Sequence, residues 1–114
     1  MQIGMMNNPR VDPLTEIAWA EKNEFDFLDL TLEPSAAFRG QIDLPQVRKA
    51  LKDSNLEIVG HTAYYLPLAS PFERLRKAAV EEMRWARKAL ATSLESSLDH
   101  RLVVRMRWRG TQLA

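Results

Sequence analysis

The chain of 114 residues contains no cysteine, which excludes disulfide bonds, cysteine-ligated zinc and thiol nucleophiles. No uninterrupted apolar run approaches the ~18 residues that a membrane-spanning helix needs, so we expect no membrane association. The first residues, MQIGMMNNPR, lack the charged start and the apolar stretch of a signal peptide. From these absences we predict a cytoplasmic protein.

Glycine is scarce, with 4 residues, and none of them forms a phosphate-binding loop. The segment after the first apolar run reads NNPRVD, without the G-x-G-x-x-G pattern of dinucleotide-binding folds or a Walker sequence. A G-x-S-x-G nucleophile elbow is also missing. The sequence therefore argues against a nucleotide-binding Rossmann domain and against hydrolases built on that elbow.

The net charge is only +1, but it is distributed unevenly. Residues 1–90 hold 12 Lys and Arg against 13 Asp and Glu, whereas all 4 Arg of residues 91–114 lie within RLVVRMRWRG. Arginines around a tryptophan are typical of nucleic-acid-binding segments, yet one short patch seldom carries affinity alone, so we do not expect a nucleic-acid partner. One alternative is a solvated terminus. Another is an edge strand, because apolar residues and arginines alternate along RLVVRMRW.

Three strand–helix units account for most of the remaining chain. The predicted strands cover 2–6, 25–33 and 56–63, and the predicted helices cover 12–23, 43–54 and 70–90. Asp12-Pro13 is a helix-start signal, and Ser70-Pro71-Phe72-Glu73 is a capping box. The βαβαβα order implies parallel strands joined by right-handed crossovers, which is an α/β fold.

Side-chain periodicity predicts which faces are buried. In the second strand the leucines at 28, 30 and 32 share one face, and Asp29, Thr31 and Glu33 share the other. The first helix should bury Leu14, Ile17 and Ala18. The third helix should bury an inner face made of Phe72, Leu75, Ala79, Met83, Ala86 and Leu90.

Candidate functional residues follow the predicted strands, at the edge where sites lie in parallel α/β folds. His61 ends the third strand and is either a divalent-metal ligand or general base, or a structural histidine. Glu33 ends the second strand, where a carboxylate can bind metal or a sugar hydroxyl or act as a base. Its alternative is a surface carboxylate near a helix N-terminus.

Two further pairs follow the first and third strands. Asn7 and Asn8 can hydrogen-bond a polar ligand or simply form a turn. Tyr64 and Tyr65 can wall a pocket and stack on a sugar, or serve only in packing. If the three strands are neighbours in one parallel sheet, these side chains all reach the same rim.

The segments QIGMMNNP, FDFLDLTLEP and IVGHTAYYLPLASPFERLRKAAVEEM resemble the first three βα units of xylose isomerase-like TIM barrels. That superfamily includes sugar phosphate isomerases/epimerases and apurinic/apyrimidinic endonucleases of the endonuclease IV type. The resemblance covers residues 1–91 and implies a partial TIM barrel, followed by an atypical basic tail at 92–114.

For the site, the resemblance implies a divalent metal (Zn or Mn) and a sugar or sugar phosphate. His61 would bind the metal and Glu33 would be catalytic, while Asn7 and Tyr64 would bind substrate.

The chain departs from this family after the third helix. Family members continue with a fourth strand and a His-Pro signature, whereas His100 is followed here by Arg101. A full barrel takes ~250 residues, and catalytic zinc takes about three protein ligands. We therefore expect an incomplete barrel that is inactive alone, with metal-dependent sugar or sugar phosphate isomerisation or epimerisation as its ancestral activity.

Its origin would be a truncated or frameshifted product, or a small protein that covers its sheet edges by homo-oligomerisation. The alternative functions are a fragment of a zinc-dependent endonuclease IV-type repair enzyme, or a non-catalytic oligomeric interaction module.

Overall fold

A computed structural model of the protein describes residues 1–94, apart from the side chains of His61 and of residues 92–94. The predicted basic tail lies, from residue 95 onward, outside the described residues. The elements are β1 (Gly4–Met6), α1 (Pro13–Lys22), β2 (Phe27–Leu32), α2 (Leu44–Asp53), β3 (Glu57–Thr62) and α3 (Glu73–Leu94). The predicted βαβαβα order is confirmed.

The three strands form one parallel sheet in the order β1-β2-β3. Met6 lies opposite Asp29 in the β1–β2 ladder, and Thr31 lies opposite His61 in the β2–β3 ladder. The described chain is thus an α/β structure in which sequential strands are also spatial neighbours.

All three helices pack on the same face of this sheet. Leu28 and Leu30 of β2 are almost fully buried, and they share one hydrophobic cluster with Ile58, their neighbour on β3. Each helix contributes to that cluster, and its helical members are Ile17, Ala20, Val47, Leu51, Ala86, Ala89 and Leu90. The chain therefore winds in one direction along the sheet, because a doubly wound sheet would carry helices on both faces.

The opposite face of the sheet, which we call the open face, carries no described helix. Its side chains alternate with those of the core, and the described strand side chains on it are those of Met6, Phe27, Asp29, Thr31, Glu57 and Val59. Thr31 is buried, whereas the others keep partial or full exposure. The predicted division of β2 into a leucine face and a polar face is confirmed by this burial pattern.

Gly60 fixes the distance between β3 and α3. A Cβ atom built on Gly60 would lie 2.7 Å from Cδ1 and 3.0 Å from Cγ of Leu90, and closer still to Cδ2. Leu90 is only 2% exposed, so its side chain has little room to move away. The absence of a side chain at Gly60 lets α3 approach the middle of the strand.

The first two helices begin and end within one residue of the predicted positions, and capping side chains account for their ends. The Asp12 carboxylate accepts a hydrogen bond from the Leu14 amide at 2.9 Å, and Asp43 accepts one from the Gln46 amide at 3.1 Å. Asn23 closes α1 by donating from Nδ2 to the Trp19 carbonyl at 2.7 Å. These caps satisfy backbone groups that a helix end leaves without intrahelical partners.

Two predicted faces are wrong in part. Ala18 of α1 is exposed, and Ala20 is buried instead, because Ile17 and Ala20 are the residues that face the sheet. Phe72 and Leu75 are 69% and 52% exposed, because α3 packs on the core through its later turns, where its buried residues Ala79, Ala86, Ala89 and Leu90 lie. The Ser70 hydroxyl does accept a hydrogen bond from the Phe72 amide, but α3 begins only at Glu73. The helix continues to Leu94 and so passes the domain boundary predicted at 91/92.

Among the described residues, no helix combines the length and the apolar character that crossing a bilayer requires.

Candidate site at the carboxyl edge of the sheet

The loops at the two edges of the sheet differ in length. Segments 7–12, 33–43 and 63–72 follow the strands, whereas only 23–26 and 54–56 lead from a helix back to a strand. The long loops therefore gather at the carboxyl edge. In parallel α/β folds that edge carries the binding site.

Asn7 occupies the point where β1 ends. Its side chain is 1% exposed, and its Oδ1 accepts a hydrogen bond from the Thr31 amide at 2.6 Å. Its Nδ2 donates to the Thr31 carbonyl at 3.4 Å, and its own amide donates to the Asp29 carbonyl at 3.2 Å. The carboxamide thus adds one more rung to the β1–β2 ladder after the backbone of β1 has turned away. Both of its polar atoms are engaged within the sheet, and the substrate-binding role predicted for Asn7 stays a prediction.

The loop after β1 is joined to the loop after β2 by backbone hydrogen bonds. The amides of Ala36 and Ala37 donate to the Pro9 carbonyl at 2.9 and 3.3 Å. Asn8, which is exposed, accepts a hydrogen bond from the Arg10 amide at 3.0 Å and so forms a turn. The two asparagines therefore have different structural roles: Asn7 extends the β1–β2 ladder, and Asn8 stabilises the turn that follows.

Glu33 is brought against Tyr65 from the loop after β3. Partial desolvation of the half-exposed Tyr65 ring raises the pKa of its hydroxyl, and the negative charge of Glu33, with a hydrogen bond between the two side chains, raises that pKa further. The ring of Tyr64 meets that of Tyr65 edge to face, with centroids 5.3 Å apart. Tyr64 itself is 88% exposed. One carboxylate and two phenols therefore lie together at the carboxyl edge.

A cavity of about 160 Å³ lies beside this group, between the sheet and α3. Its walls are mainly apolar, and the residues that line it are Leu32, Pro34, Phe38, Arg39, Thr62, Ala63, Tyr65, Leu66, Glu82, Trp85 and Ala86. Arg39 is the only cation among these residues, and its Nη1 lies 3.4 Å from Oε1 of Glu82. Both partners are about half exposed, so this ion pair contributes little to stability and its arginine remains accessible to a ligand.

An open depression of about 500 Å³ lies at the opposite, amino edge of the sheet. Two of its four acidic residues accept hydrogen bonds from the segment that precedes β1. Asp26 accepts a hydrogen bond from the Ile3 amide at 2.6 Å, and Glu57 accepts one from Nε2 of Gln2 at 3.3 Å. The loops at this edge are short, and these contacts already engage two of its carboxylates. We therefore place the candidate site at the carboxyl edge, although the cavity there is smaller.

A metal centre requires several ligands close together. Among the described side chains, no three His, Cys, Asp or Glu residues lie close enough to hold an ion. His61 lies in β3 opposite Thr31, one residue before the strand ends, so its backbone is at the predicted place. The metal-ligand role predicted for His61 stays a prediction, as does the catalytic role of Glu33.

The sequence alone gives no signal for two of the residues at this edge. Arg39 and Glu82 are separated by 43 positions, and neither belongs to a recognisable motif. Only the packing of α3 beside the loop after β2 brings them together. Tyr65, by contrast, is a predicted pocket residue, and the structure supplies Glu33 as its partner.

Comparisons with protein-family models, with curated proteins and with solved structures found no match to this chain. The assignment to the xylose isomerase-like superfamily therefore stays a prediction.

Proposed function

We propose that residues 1–94 are the first three βα units of a xylose isomerase-like barrel, and that their carboxyl edge binds a sugar or sugar phosphate. The observation that carries the proposal is the convergence of Glu33, Tyr64 and Tyr65 at that edge. Isomerisation or epimerisation is the chemistry proposed for a complete barrel, and binding is what we expect of this chain.

The winding of the chain supports the barrel. The strands follow one another in sequence order, and every described helix lies on one face of the sheet. A βα barrel has the same strand order and the same one-sided helix layer. The open face would then line the barrel interior. Asp29 and Thr31 on that face agree with a polar lining near the site, and the buried leucines of β2 agree with a layer covered by helices.

The chemistry of the edge suits a polyol. A carboxylate such as Glu33 accepts hydrogen bonds from sugar hydroxyls, and the Tyr65 hydroxyl both donates and accepts. The exposed ring of Tyr64 offers an apolar surface to the C–H face of a sugar. The Tyr65 hydroxyl is protonated at neutral pH, as phenols are, and its raised pKa extends that protonation to higher pH.

Arg39 favours a phosphorylated sugar over a free one. Its guanidinium lies at the cavity beside Tyr65, held by the half-exposed Glu82 carboxylate. Guanidinium groups bind phosphate through paired hydrogen bonds, and a phosphate would compete with Glu82 for the same donors. A sugar phosphate spanning the site would place its hydroxyls near Glu33 and its phosphate near Arg39.

The residues present fit a metal only in part. Glu33 supplies one oxygen donor, and His61 lies at the end of the neighbouring strand, but about three protein ligands are usual for catalytic zinc. A complete set is not found among the described side chains. We therefore derive no catalytic step through a metal, and we expect this chain alone to bind its ligand without turnover.

Isothermal titration calorimetry of the 114-residue chain with D-ribose 5-phosphate, with and without ZnCl₂, tests the proposal. Binding should weaken at least about tenfold in Glu33→Gln, because one charged hydrogen-bond acceptor is lost. The matched control is Glu81→Gln, since Glu81 is an exposed carboxylate on α3 outside the site. Arg39→Gln should weaken binding of the sugar phosphate but not of D-ribose. The proposal fails if neither sugar binds, or if both glutamate variants bind equally.

Binding of Zn²⁺ is tested separately by replacing each of the 2 histidines. If the chain binds Zn²⁺ stoichiometrically, His61→Gln should abolish that binding and His100→Gln should leave it intact. Equal loss in both variants, or in neither, contradicts the role of His61.

A non-catalytic interaction module is the second candidate, and one observation favours it. Phe72, just before α3, and Leu75, in its first turn, are exposed large apolar side chains three residues apart. In this second candidate the two side chains would belong to one apolar contact patch. If the chain self-associates through it, sedimentation velocity should show a dimer that Leu75→Arg converts to monomer. No described feature favours the endonuclease alternative.

A further inference from the structure

The cavity of about 160 Å³ at the carboxyl edge lies on the helix-covered side of the sheet. Leu32 and Thr62, which end β2 and β3, line it from the sheet, and Trp85 and Ala86 line it from α3. Glu33, the carboxylate proposed to bind sugar hydroxyls, is not among the described residues that line it. The cavity is therefore a second space at this edge, and the hydroxyls of a sugar do not account for it.

The walls of this cavity suit an apolar group. Most of its lining residues are aliphatic or aromatic, and Phe38 and Trp85 contribute two partly buried rings. Trp85 also packs against the hydrophobic cluster of the core. A polyol placed here would lose hydrogen bonds to water that apolar walls cannot replace, whereas an aromatic or aliphatic group would remove apolar surface from water.

The size of the cavity matches one aromatic ring. An apolar cavity of about 150 Å³ stays dry and binds benzene, and this cavity provides about 160 Å³. Ala63 and Ala86, which are 8% and 3% exposed, are the small residues of its wall. We therefore expect Ala86→Leu to fill the space that a ring would occupy.

The polar residues of the cavity specify a negative charge on that ring. Arg39 is exposed, and it is the only cation among the described lining residues. Its Nη1 donates to Oε1 of Glu82 at 3.4 Å, which engages one nitrogen of a guanidinium that has five N–H donors. Because both side chains of this ion pair are about half exposed, a ligand anion can bind Arg39 beside Glu82 or displace it.

We propose that this cavity is a binding site for a single-ring aromatic anion, of the class that includes phenyl phosphate and benzoate. The ring lies against Phe38 and Trp85, and its anionic group contacts Arg39. This inference goes beyond the proposed sugar site, because the ring is held by walls that Glu33 does not form. The two ligands share only the guanidinium of Arg39.

Isothermal titration calorimetry of the full chain with four small ligands tests the two parts of this ligand class. Phenyl phosphate and benzoate carry both ring and charge, inorganic phosphate lacks the ring, and benzyl alcohol lacks the charge. We expect at least one of the aromatic anions to bind about tenfold or more tightly than either incomplete ligand. Equal binding of an incomplete ligand, or no binding of either aromatic anion, overturns the proposal.

Substitutions in the ion pair test the position of the charge. Arg39→Gln should weaken binding of the tighter aromatic anion about tenfold or more, because the guanidinium is lost. Glu82→Gln should instead strengthen that binding about threefold or more, because it removes a competing negative charge. Glu81→Gln is the matched control, since Glu81 is exposed and does not line the cavity. If Glu82→Gln and Glu81→Gln have the same effect, the proposal is wrong.

The position of the ring is tested by Ala86→Leu. This variant should weaken binding of the tighter aromatic anion about tenfold or more, while circular dichroism shows that the chain still folds. Unchanged binding in the folded variant contradicts the proposal. If the variant does not fold, nuclear Overhauser effects between the ligand ring and the Trp85 indole in the unaltered chain decide. Their presence supports the site, and their absence overturns it.

Glu33→Gln separates this site from the proposed sugar site. The variant should weaken binding of D-ribose 5-phosphate and leave binding of the aromatic anion unchanged, because Glu33 does not line the cavity. If it weakens both ligands equally, the ring occupies the sugar site and the second site is wrong. Binding of the aromatic anion by a chain that does not bind D-ribose 5-phosphate supports the cavity site and rejects only the sugar site.

Discussion

Replacing Asn7 with alanine removes the side chain that joins the end of β1 to β2. The Thr31 amide loses its 2.6 Å hydrogen bond to Oδ1, and the Thr31 carbonyl loses its 3.4 Å contact with Nδ2. Both groups lie in a buried part of the sheet, since Asn7 and Thr31 are 1% and 3% exposed. Water cannot replace the lost partners without opening the ladder.

The cost follows from the two orphaned groups. Leaving a buried backbone donor or acceptor without its partner costs about 1–3 kcal/mol. The short contact with the amide dominates, and the longer contact with the carbonyl adds less, so we expect Asn7→Ala to lose about 2–4 kcal/mol of unfolding free energy. That is a large share of the stability of a small domain.

Urea denaturation followed by circular dichroism at 222 nm measures this loss. Asn8→Ala is the matched control, because Asn8 is exposed and its side chain accepts a turn contact from the Arg10 amide, while its backbone hydrogen bonds are kept in the variant. We expect the control to lose less than about 1 kcal/mol. If the two variants are equally stable, the ladder role of Asn7 is wrong. If Asn7→Ala stays stable but binds D-ribose 5-phosphate more weakly, the substrate-binding role predicted from sequence is correct instead.

Three further predictions concern packing, the tyrosine and a helix cap. Gly60→Ala should lower the free energy of unfolding by about 1–3 kcal/mol, because the added methyl group overpacks against Leu90. Leu90→Ala should therefore destabilise the Gly60→Ala variant less than it destabilises the unaltered chain. Strictly additive losses of unfolding free energy in urea denaturation would contradict the contact between Gly60 and Leu90. Glu33→Gln should lower the Tyr65 pKa part of the way toward 10.0, measured by absorbance titration at 295 nm, and no change would show that the two side chains do not meet. Because the folded-state pKa of Tyr65 is raised, its contribution to stability is present below pH 10 and is lost as the pH rises through the raised value. Asp43→Ala should cost about 1 kcal/mol through loss of the α2 cap, whereas Lys49→Ala, in the middle of the same helix, should change the denaturation midpoint little.

The course of the chain was predictable because its signals are local. Asp12 and Asp43 begin helices through contacts two or three residues away, and the alternation of β2 separates its leucines from Asp29 and Thr31 without reference to the rest of the molecule. The strand order also follows from these local signals, because right-handed crossovers between consecutive parallel strands place each new strand beside the preceding one.

What the sequence could not supply depends on contacts between distant segments. The apolar residues at the start of α3, Phe72 and Leu75, continue the helix period and yet remain exposed, since nothing in the period shows where the sheet beneath the helix ends. Asparagine is common in turns, so the sequence alone indicates a turn at Asn7. Only the register of β1 against β2 shows that Asn7 extends the ladder. Arg39 reaches Glu82 only because α3 packs beside the loop after β2.

The central claim is that the carboxyl edge of the sheet binds a sugar phosphate. The most direct measurement is a series of ¹H–¹⁵N correlation spectra of the full chain, titrated with D-ribose 5-phosphate at fixed ZnCl₂. We predict saturable shifts confined to segments 33–43 and 63–72, which are the loops that hold Glu33, Arg39 and Tyr65. Unchanged spectra, or shifts centred on the amino-edge residues 23–26 and 54–56, would contradict the account.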